Sequence, residues 1–363
     1  MKIGIITYHC SNNYGAQLQA YATCHFLQSA GYEAEVIDCN TIGKGAIFMW
    51  SLGSLRAILG SIRNNLLSLV SERKRHRLFY DFSRNMIGLS APCHTKTELN
   101  EACKNYDYII TGSDQVWHPT ICEGETCFFL DLPIQDDRKI AYAPSFGVAE
   151  YTKEEIHKYM PLIKRIGHLS VREESGRQMI KKYTGRDAKI VVDPTMLLAK
   201  ADWNKIAIPS KYRKYLFYFT ILDEPNGTDE LVRNIAHSKG LEIVRIGTVR
   251  DIMKRGFINA RANGPQHFLG LIRDADFVVT TSFHGTVFSI LYEKQFLCVL
   301  NNNDRNSRME TLMCNLGIKH RMVRDVSACN IMDYLDIDYV YVNQKLADMR
   351  EKSIQFLKDS IES

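Results

Sequence analysis

A histidine followed by a glycine stands at the end of a short apolar run in this chain. Residues 277–279 have the composition of a buried parallel strand, and apolar residues recur at helical spacing over 287–294. His284 is therefore predicted at the carboxyl end of a strand and the amino end of a helix, where free N–H groups and the helix dipole favour an anion. A histidine there can bind a phosphorylated ligand or transfer a proton. The alternative is a histidine that caps the helix or satisfies a buried carbonyl.

A carboxylate follows another predicted strand, at 108–110. The turn after this strand is Gly112-Ser113-Asp114. Asp114 can accept a proton or a hydrogen bond from a hydroxyl group, or it can simply cap a helix.

Arginines follow two more predicted strands. Arg172 comes directly after the strand at 169–171, where its planar guanidinium can form paired hydrogen bonds with a phosphate or carboxylate. The alternative is an exposed pair with the neighbouring Glu173 or Glu174, which would contribute little. Two further arginines come just after the strand at 296–300, expected to be the last of its sheet, and can serve the same anion: Arg305 and Arg308.

The loop after the first predicted strand contains Asn12, Asn13, Tyr14 and Gly15. Asparagine and glycine supply tight-turn conformations and amide groups for a sugar or phosphate, although an ordinary N-capped loop would look the same. The loop is not G-x-G-x-x-G, so we expect no nicotinamide or flavin cofactor. The sequence also lacks a P-loop, a serine elbow and H-E-x-x-H, and it offers no metal-ligand cluster.

These side chains are positioned by an alternation of strands and helices that occurs twice. The first series runs from the strand at 2–8, and the second restarts with the aromatic and β-branched run at 215–221. We therefore predict an α/β protein with two Rossmann-like, doubly wound domains that face a cleft. The predicted organisation is a first domain at 1–200 on the acceptor side with a helical insertion at about 45–100, a hinge near 195–213, a second domain at 205–340 on the donor side, and a helix at 341–363 that crosses back.

Composition narrows the class of protein. A chain of 363 residues favours two domains, and a formal charge of +5 fits an anionic substrate but does not indicate nucleic acid. The ten cysteines show no C-x-x-C pair and no zinc spacing, and several lie in apolar stretches, as reduced cytosolic cysteines do. The amino-terminal apolar run is too short for a signal peptide, so we expect a cytoplasmic protein.

One segment qualifies that expectation. Residues 47–70 are apolar and amphipathic, and the basic cluster 72–77 follows them. Such a pair can lie on the inner face of an anionic membrane, which predicts peripheral membrane contact through residues 47–77. The alternative is a packed helix with one solvated basic face.

Six motifs in order resemble the polysaccharide pyruvyl transferase family. They are NNYGAQLQAYA from Asn12, TGSDQVW from Thr111, AYAPSFG from Ala141, SVREESG from Ser170, VDPT from Val192 and SFHGT from Ser282. The resemblance covers about residues 1–325. It implies a fold similar to the GT-B glycosyltransferases, phosphoenolpyruvate as donor, and a pyruvate ketal on a sugar as product. It also implies that Arg172 binds the donor and that His284 is the acid/base.

The chain departs from the family at one place. Members tend to have an arginine and a leucine before the histidine, whereas this chain has Ser282 and Phe283. If the family's arginine holds the donor, then Arg305 or Arg308 must replace it here, or the donor differs.

The predicted function is transfer of pyruvate from phosphoenolpyruvate to a glycan or lipid-linked sugar, in cell-surface polysaccharide biosynthesis, without a cofactor or metal. Two alternatives remain: a glycosyltransferase that uses a nucleotide sugar, with Glu310 as its one candidate ribose ligand, and a non-catalytic module that binds glycans or phosphate. The predicted site residues are His284 and Asp114 for catalysis; Arg172, Ser282, Phe283, Gly285, Thr286, Arg305 and Arg308 for the donor; and Asn12, Asn13, Tyr14, Gly15, Ser113 and Gln115 for the acceptor.

Overall fold

The computed structural model describes residues 1–39, 62–122, 124–221, 224–248, 254–301, 306–329 and 336–362. It is an α/β protein with two parallel sheets, each containing six described strands. Contacts between residues divide the chain into two units. The first unit comprises Met1–Leu55, Tyr80–Leu198 and Ala347–Ser363, and the second comprises Arg56–Phe79 and Ala199–Leu346.

The first unit is built on a sheet of order β2-β1-β3-β4-β5-β6. Its central strands are apolar on both faces: Ile5, Ile109 and Ile140 are fully buried, as expected for a parallel sheet that is covered on both sides. The strands are β1 Lys2–Ile6, β2 Glu33–Val36, β3 Tyr108–Thr111, β4 Lys139–Ala141, β5 His168–Val171 and β6 Lys189–Ile190.

The second unit has a sheet of order β12-β11-β10-β7-β8-β9. This order is the doubly wound arrangement in which the strand sequence reverses between β7 and β10. These two strands pair in parallel, with Thr280 opposite Phe219. The strands are β7 Tyr215–Phe219, β8 Glu242–Ile246, β9 Ile258–Asn259, β10 Phe277–Thr280, β11 Phe296–Val299 and β12 Met322–Val323.

Helices connect the strands in both units, as parallel pairing requires. They are α1 Tyr14–Ser29, α2 Ile62–Met86, α3 Lys96–Cys103, α4 Pro119–Cys122, α5 Lys153–Lys164, α6 Glu174–Thr184, α7 Lys200–Ile206, α8 Thr228–Lys239, α9 Pro265–Arg273, α10 Phe283–Leu291, α11 Ser307–Asn315 and α12 Tyr339–Glu362. Among the described helices, none is both long enough and apolar enough to cross a bilayer.

The predicted fold class is confirmed, and the bounds of several elements differ from prediction. Helix α10 begins at Phe283 rather than near residue 287, because Ser282 provides the cap. The prediction that β11 is the last strand of its sheet is wrong, because β12 pairs beside it. The predicted hinge region contains helix α7.

The two units also divide the chain differently from the predicted domains. Arg56–Phe79, which was predicted as part of an insertion in the first domain, groups with the second unit. Helix α12 is shared: its residues up to Leu346 group with the second unit, and the rest group with the first. Residues 40–61, which include the start of the predicted insertion and much of the predicted membrane segment, lie outside the described residues.

Candidate functional site

The order of the strands in each sheet indicates where a ligand would bind. In the first sheet the order reverses between β1 and β3, and in the second between β7 and β10. Ligands of open α/β sheets bind beyond the carboxyl ends of strands at such reversals. His284 follows β10 and Asp114 follows β3, so each of these predicted residues lies just beyond the carboxyl end of a strand at such a reversal.

The second unit holds His284 in the first turn of α10. Ser282 is the N-cap, and its Oγ accepts a hydrogen bond from the Gly285 N–H at 3.3 Å. The Thr286 hydroxyl donates to the Ser282 carbonyl at 3.1 Å. A side chain at Gly285 would place its Cβ 2.3 Å from Thr280 Oγ1, so only glycine allows this close approach of helix and strand.

The His284 ring is buried at the amino end of this helix, edge-on to the Phe283 ring with 5.2 Å between centroids. The positive end of the helix dipole at this position favours a bound anion. The structure therefore places a buried histidine at the electropositive end of a helix, which is the position that the sequence predicts for it.

Arg308 approaches the same turn from α11. Its guanidinium carbon lies 5.6 Å from the centroid of the Phe283 ring. This position brings a cation near α10 from a helix that the sequence analysis did not predict. The other candidate arginine, Arg305, lies outside the described residues.

Two polar groups missed by the sequence analysis occur at neighbouring strand ends. Thr220 directly follows β7 and is 2% exposed, and Asn301 lies just beyond β11. Within the described part of the chain, Thr220 Oγ1 and Asn301 Oδ1 are buried without a hydrogen-bond partner. Buried polar atoms normally have a partner, so these two atoms are candidate contacts for a ligand. The signal that would have found them is their position directly after an apolar strand.

The first unit fixes the turn Gly112-Ser113-Asp114 from several sides. The Ser113 N–H donates to Gln19 Oε1 at 3.0 Å, and the Ser113 hydroxyl lies 2.8 Å from the Ala143 carbonyl. The Asp114 carbonyl accepts from the Ser145 N–H at 2.9 Å. Asp114 itself has a φ of 63°, in the left-handed region that aspartate tolerates better than most residues.

Arg172 lies beside this turn, with its side chain only 1% exposed. Its Nη1 donates to Asp193 Oδ2 at 2.6 Å, and its Nη2 donates to Asp114 Oδ1 at 3.4 Å. A third carboxylate, that of Glu173, lies 3.9 Å from Nε. The alternative prediction of an exposed pair with Glu173 or Glu174 is wrong, because the arginine is buried and its shortest contact is with Asp193.

The predicted acceptor residues fall into two groups. Asn13 caps α1: its side-chain oxygen accepts from the N–H groups of Gly15, at 2.9 Å, and Ala16, at 3.3 Å. Tyr14 is buried, whereas Asn12 is exposed. Ser113 and Gln115 lie on either side of Asp114, and among the described residues the Gln115 Nε2 atom is buried without a hydrogen-bond partner.

A buried histidine–aspartate pair lies beyond β1 and β2, and the sequence analysis did not predict it. His9 Nε2 lies 3.3 Å from Asp38 Oδ1, and His9 Nδ1 lies 2.9 Å from the Thr7 carbonyl. The imidazole ring is therefore held by a polar group at each of its nitrogens. The His9 hydrogen bond, assisted by Arg84 at 3.0 Å, lowers the pKa of Asp38.

Comparison with solved structures shows which folds are similar. UDP-GlcNAc 2-epimerase from Neisseria meningitidis bound to UDP-GlcNAc is 9% identical, with 99% of this chain and all of the other covered and a TM-score of 0.54. The S. aureus MnaA–UDP structure is 11% identical, with coverages of 98% and 95% and a TM-score of 0.52. E. coli heptosyltransferase WaaC with ADP is 12% identical, with coverages of 98% and 100% and a TM-score of 0.42. At these identities the likeness concerns the fold alone.

A search of curated proteins found no match to this chain. A family model, described as polysaccharide pyruvyl transferase, matches residues 13–303. This span includes every described candidate residue except Asn12, Arg308 and Glu310, and it covers most of the chain. The chain therefore belongs to the polysaccharide pyruvyl transferase family.

Proposed function

We propose that this protein transfers pyruvate from phosphoenolpyruvate to two hydroxyl groups of a sugar, forming a ketal on a cell-surface glycan or its lipid-linked precursor. The observation that carries the proposal is His284 in the first turn of α10, at the point where strand order reverses between β7 and β10. A helix amino end suits the phosphate or carboxylate of the donor, and a histidine beside it suits proton transfer.

The chemistry assigns His284 two steps. Protonation of the donor's methylene carbon makes its C2 atom electrophilic, and one sugar hydroxyl adds to C2 and loses its proton. A second hydroxyl then attacks C2 as phosphate leaves with the bonding electron pair; the proton of this hydroxyl passes to the departing phosphate, and the ketal closes. A side chain that can gain and lose a proton near neutral pH can serve as the acid and then as the base.

Donor binding needs two sites of positive potential, because phosphoenolpyruvate carries a phosphate and a carboxylate. We assign the α10 amino end, with Ser282, Phe283, Gly285 and Thr286, to one of them. Arg308, close to the Phe283 ring, is the cation for the other. The buried hydroxyl of Thr220 is a further candidate contact. Arg172 remains a predicted donor ligand, but its contacts with three carboxyl groups favour a different role.

The test is phosphate release from phosphoenolpyruvate across a panel of nitrophenyl and lipid-linked glycosides, with the mass of each product. We expect phosphate release together with a product heavier by one pyruvate less one water. The proposal would be contradicted if phosphate is released without that product. It would also be contradicted if no glycoside of the panel gives either phosphate or the product.

A nucleotide-sugar glycosyltransferase is the second candidate, favoured by the UDP and UDP-GlcNAc complexes of the similar structures. Against it, Glu310 is already engaged by Arg324, whose Nη2 donates to it at 2.6 Å. Thermal shift separates the candidates, because a ligand raises the melting temperature only if it binds the folded protein. A nucleotide sugar that stabilises the protein while phosphoenolpyruvate does not would favour the glycosyltransferase. Affinity without turnover would indicate a binding module.

We further propose that the protein contacts an anionic membrane through α2, as befits a lipid-linked acceptor. One arc of this helix carries the exposed side chains of Val70, Arg73, Lys74 and Tyr80, together with the intermediate Asp81. Cations next to an aliphatic and an aromatic side chain suit an anionic lipid surface. The proposed partner of this part of the helix is an anionic lipid surface and not a nucleic acid.

A further inference from the structure

The environment of Arg172 is acidic. Three carboxylates, those of Asp114, Glu173 and Asp193, lie within 3.9 Å of its guanidinium nitrogens. One guanidinium faces three carboxyl groups, so this position offers little net positive charge to an anionic ligand. The site is therefore better suited to hydroxyl groups than to phosphate.

The three carboxylates differ in accessibility. The side chains of Glu173 and Asp193 are 1% and 0% exposed, whereas that of Asp114 is 13% exposed. Asp193 is also engaged on its other oxygen, which accepts from the N–H and the hydroxyl of Thr195 at 3.0 and 2.7 Å. Asp114 is thus the one of the three that a ligand can reach.

The backbone under Asp114 is fixed independently of any ligand. Its turn is tied to α1 through Gln19 and to the loop after β4 through Ala143 and Ser145. A side chain at Gly112 would place its Cβ 2.3 Å from the Tyr142 carbonyl oxygen, so the turn needs glycine. The backbone that carries the Asp114 carboxylate is thus fixed before a ligand arrives, which lowers the entropic cost of binding.

Near Asp114, two buried side-chain atoms have no hydrogen-bond partner among the described residues. Ser145, whose N–H bonds to the Asp114 carbonyl, is fully buried, and its hydroxyl has no hydrogen-bond partner among the described residues. The Gln115 Nε2 atom is likewise buried and has no hydrogen-bond partner in the described part of the chain. Gln115 is partly exposed, unlike Ser145, so a hydroxyl oxygen of a ligand could accept a hydrogen bond from its Nε2 atom.

We infer that Arg172 is a positioning residue, which holds the Asp114 carboxylate to accept a hydrogen bond from a hydroxyl of the acceptor sugar. Arg172 Nη2 binds Asp114 Oδ1, and Asp193, braced by Thr195, fixes the other end of the guanidinium through Nη1. The inference rests on the proposed function, because it takes the ligand of the first unit to be the sugar. It assigns the donor anion to other residues.

The experiment compares Arg172→Gln, Asp114→Asn and the double variant in the full-length protein. Donor affinity is measured by calorimetry with phosphoenolpyruvate alone, and acceptor KM is measured with the best glycoside of the panel. We expect each single variant to raise acceptor KM by about tenfold or more, the effect of losing a hydrogen bond to a charged group, with donor affinity nearly unchanged. The acceptor KM of the double variant should be little higher than that of Arg172→Gln, because both changes remove the same interaction.

Two controls separate positioning from stability. Arg245 of the second unit is a matched arginine, buried and paired with Asp229 at 2.7 Å and Glu224 at 2.9 Å, so Arg245→Gln should lower the melting temperature but leave acceptor KM unchanged. If Arg172→Gln does not fold, Arg172→Lys keeps the charge and should give an intermediate acceptor KM, because a point charge cannot replace the fork.

The inference is overturned if Arg172→Gln weakens phosphoenolpyruvate binding and leaves acceptor KM unchanged, or if the two single effects simply add. If the wild-type protein does not bind phosphoenolpyruvate, the proposed function fails. In that case, glycan affinity is measured in place of acceptor KM. Both variants should lose affinity for a glycan that the wild-type protein binds. If the wild-type protein binds no glycan of a broad panel, the inference is also overturned.

Discussion

Arg172 donates a hydrogen bond of 2.6 Å to Asp193, and both side chains are buried in the first unit. The pair joins two sequence motifs, SVREESG and VDPT, at the carboxyl ends of β5 and β6. A strand-end arginine looks like an anion ligand in sequence, but here its shortest contact is with a carboxylate of its own chain. The two members of the pair should therefore differ in their importance for stability.

We predict that Arg172→Gln destabilises the protein more than Asp193→Asn does. Loss of the arginine leaves several carboxylates without their cation, which costs about 3–5 kcal/mol for a buried pair. Loss of the Asp193 charge removes one charge-assisted hydrogen bond, about 1.5–3 kcal/mol, and leaves Arg172 with two other carboxylates. Urea denaturation measures both, with Arg177→Gln, which breaks an exposed pair with Asp187, as a control of small effect. Equal losses for Arg172→Gln and Asp193→Asn would contradict this ranking.

The proton-transfer role of His284 predicts a kinetic defect without a folding defect. His284→Asn keeps a polar side chain but cannot move a proton, so kcat should fall by roughly 10²- to 10⁴-fold. Donor affinity and melting temperature should stay close to the wild-type values. His157→Asn, at an exposed position of α5, is the matched control. A lower melting temperature with normal turnover would show that His284 is a structural residue.

Sequence patterns predicted most of the fold and where its polar strand ends lie. The strands before His284, Asp114 and Arg172 are apolar and short, so periodicity identifies them, and the parallel arrangement then brings their ends to one edge of each sheet. Helix α11 was missed, and with it the way Arg308 approaches Phe283 from a helix rather than a loop.

Pairings between distant residues could not be read from the sequence. Arg172 and Asp193 follow β5 and β6, which are neighbours in the sheet, just as His9 and Asp38 follow β1 and β2. A prediction of strand order would have placed each pair at one edge, but nothing local in the sequence distinguishes a buried partner from a solvated one. Only the tertiary structure shows that the buried hydroxyl groups of Thr220 and Ser145 have no hydrogen-bond partner among the described residues.

Arg308 should contribute to donor affinity rather than to catalysis. Arg308→Ala is expected to weaken phosphoenolpyruvate binding by about 10- to 100-fold, the equivalent of a hydrogen bond to a charged group, with kcat at saturating donor nearly unchanged. Arg324→Ala is the control, because Arg324 is exposed and paired with Glu310. Wild-type donor affinity in Arg308→Ala would remove this residue from the donor site.

The exposed basic arc of α2 predicts charge-dependent membrane binding. Each cation near an anionic bilayer contributes about 1 kcal/mol, so Arg73→Gln combined with Lys74→Gln should weaken binding to phosphatidylglycerol-containing vesicles by roughly 30-fold. Lys352→Gln with Lys358→Gln, on the exposed part of α12, changes the net charge equally and should have little effect. Binding to vesicles of neutral lipid should be weak for all variants. If both double variants lose the same affinity, the attraction comes from net charge and not from this surface.

The His9–Asp38 pair predicts how stability depends on pH. Its hydrogen bond lowers the pKa of Asp38 in the folded protein, so the ionised carboxylate stabilises the fold. That contribution is complete above the unfolded-state pKa of about 4, and it is lost as the pH falls through the lower folded-state pKa. Asp38→Asn should therefore unfold more easily than the wild type near neutral pH, and the difference should shrink as the pH is lowered below about 4.

Urea denaturation of both proteins across this pH range measures the difference directly. High salt should leave it largely intact, because the Asp38 and His9 side chains are only 2% exposed and are poorly screened. Asp187→Asn supplies the contrast, since its partner Arg177 is exposed and salt should remove most of any effect. A gap between Asp38→Asn and the wild type that stays constant down to the lowest pH would mean that the carboxylate acts through packing and neutral hydrogen bonds. The ion pair with His9 would then make no net contribution to the stability of the first unit.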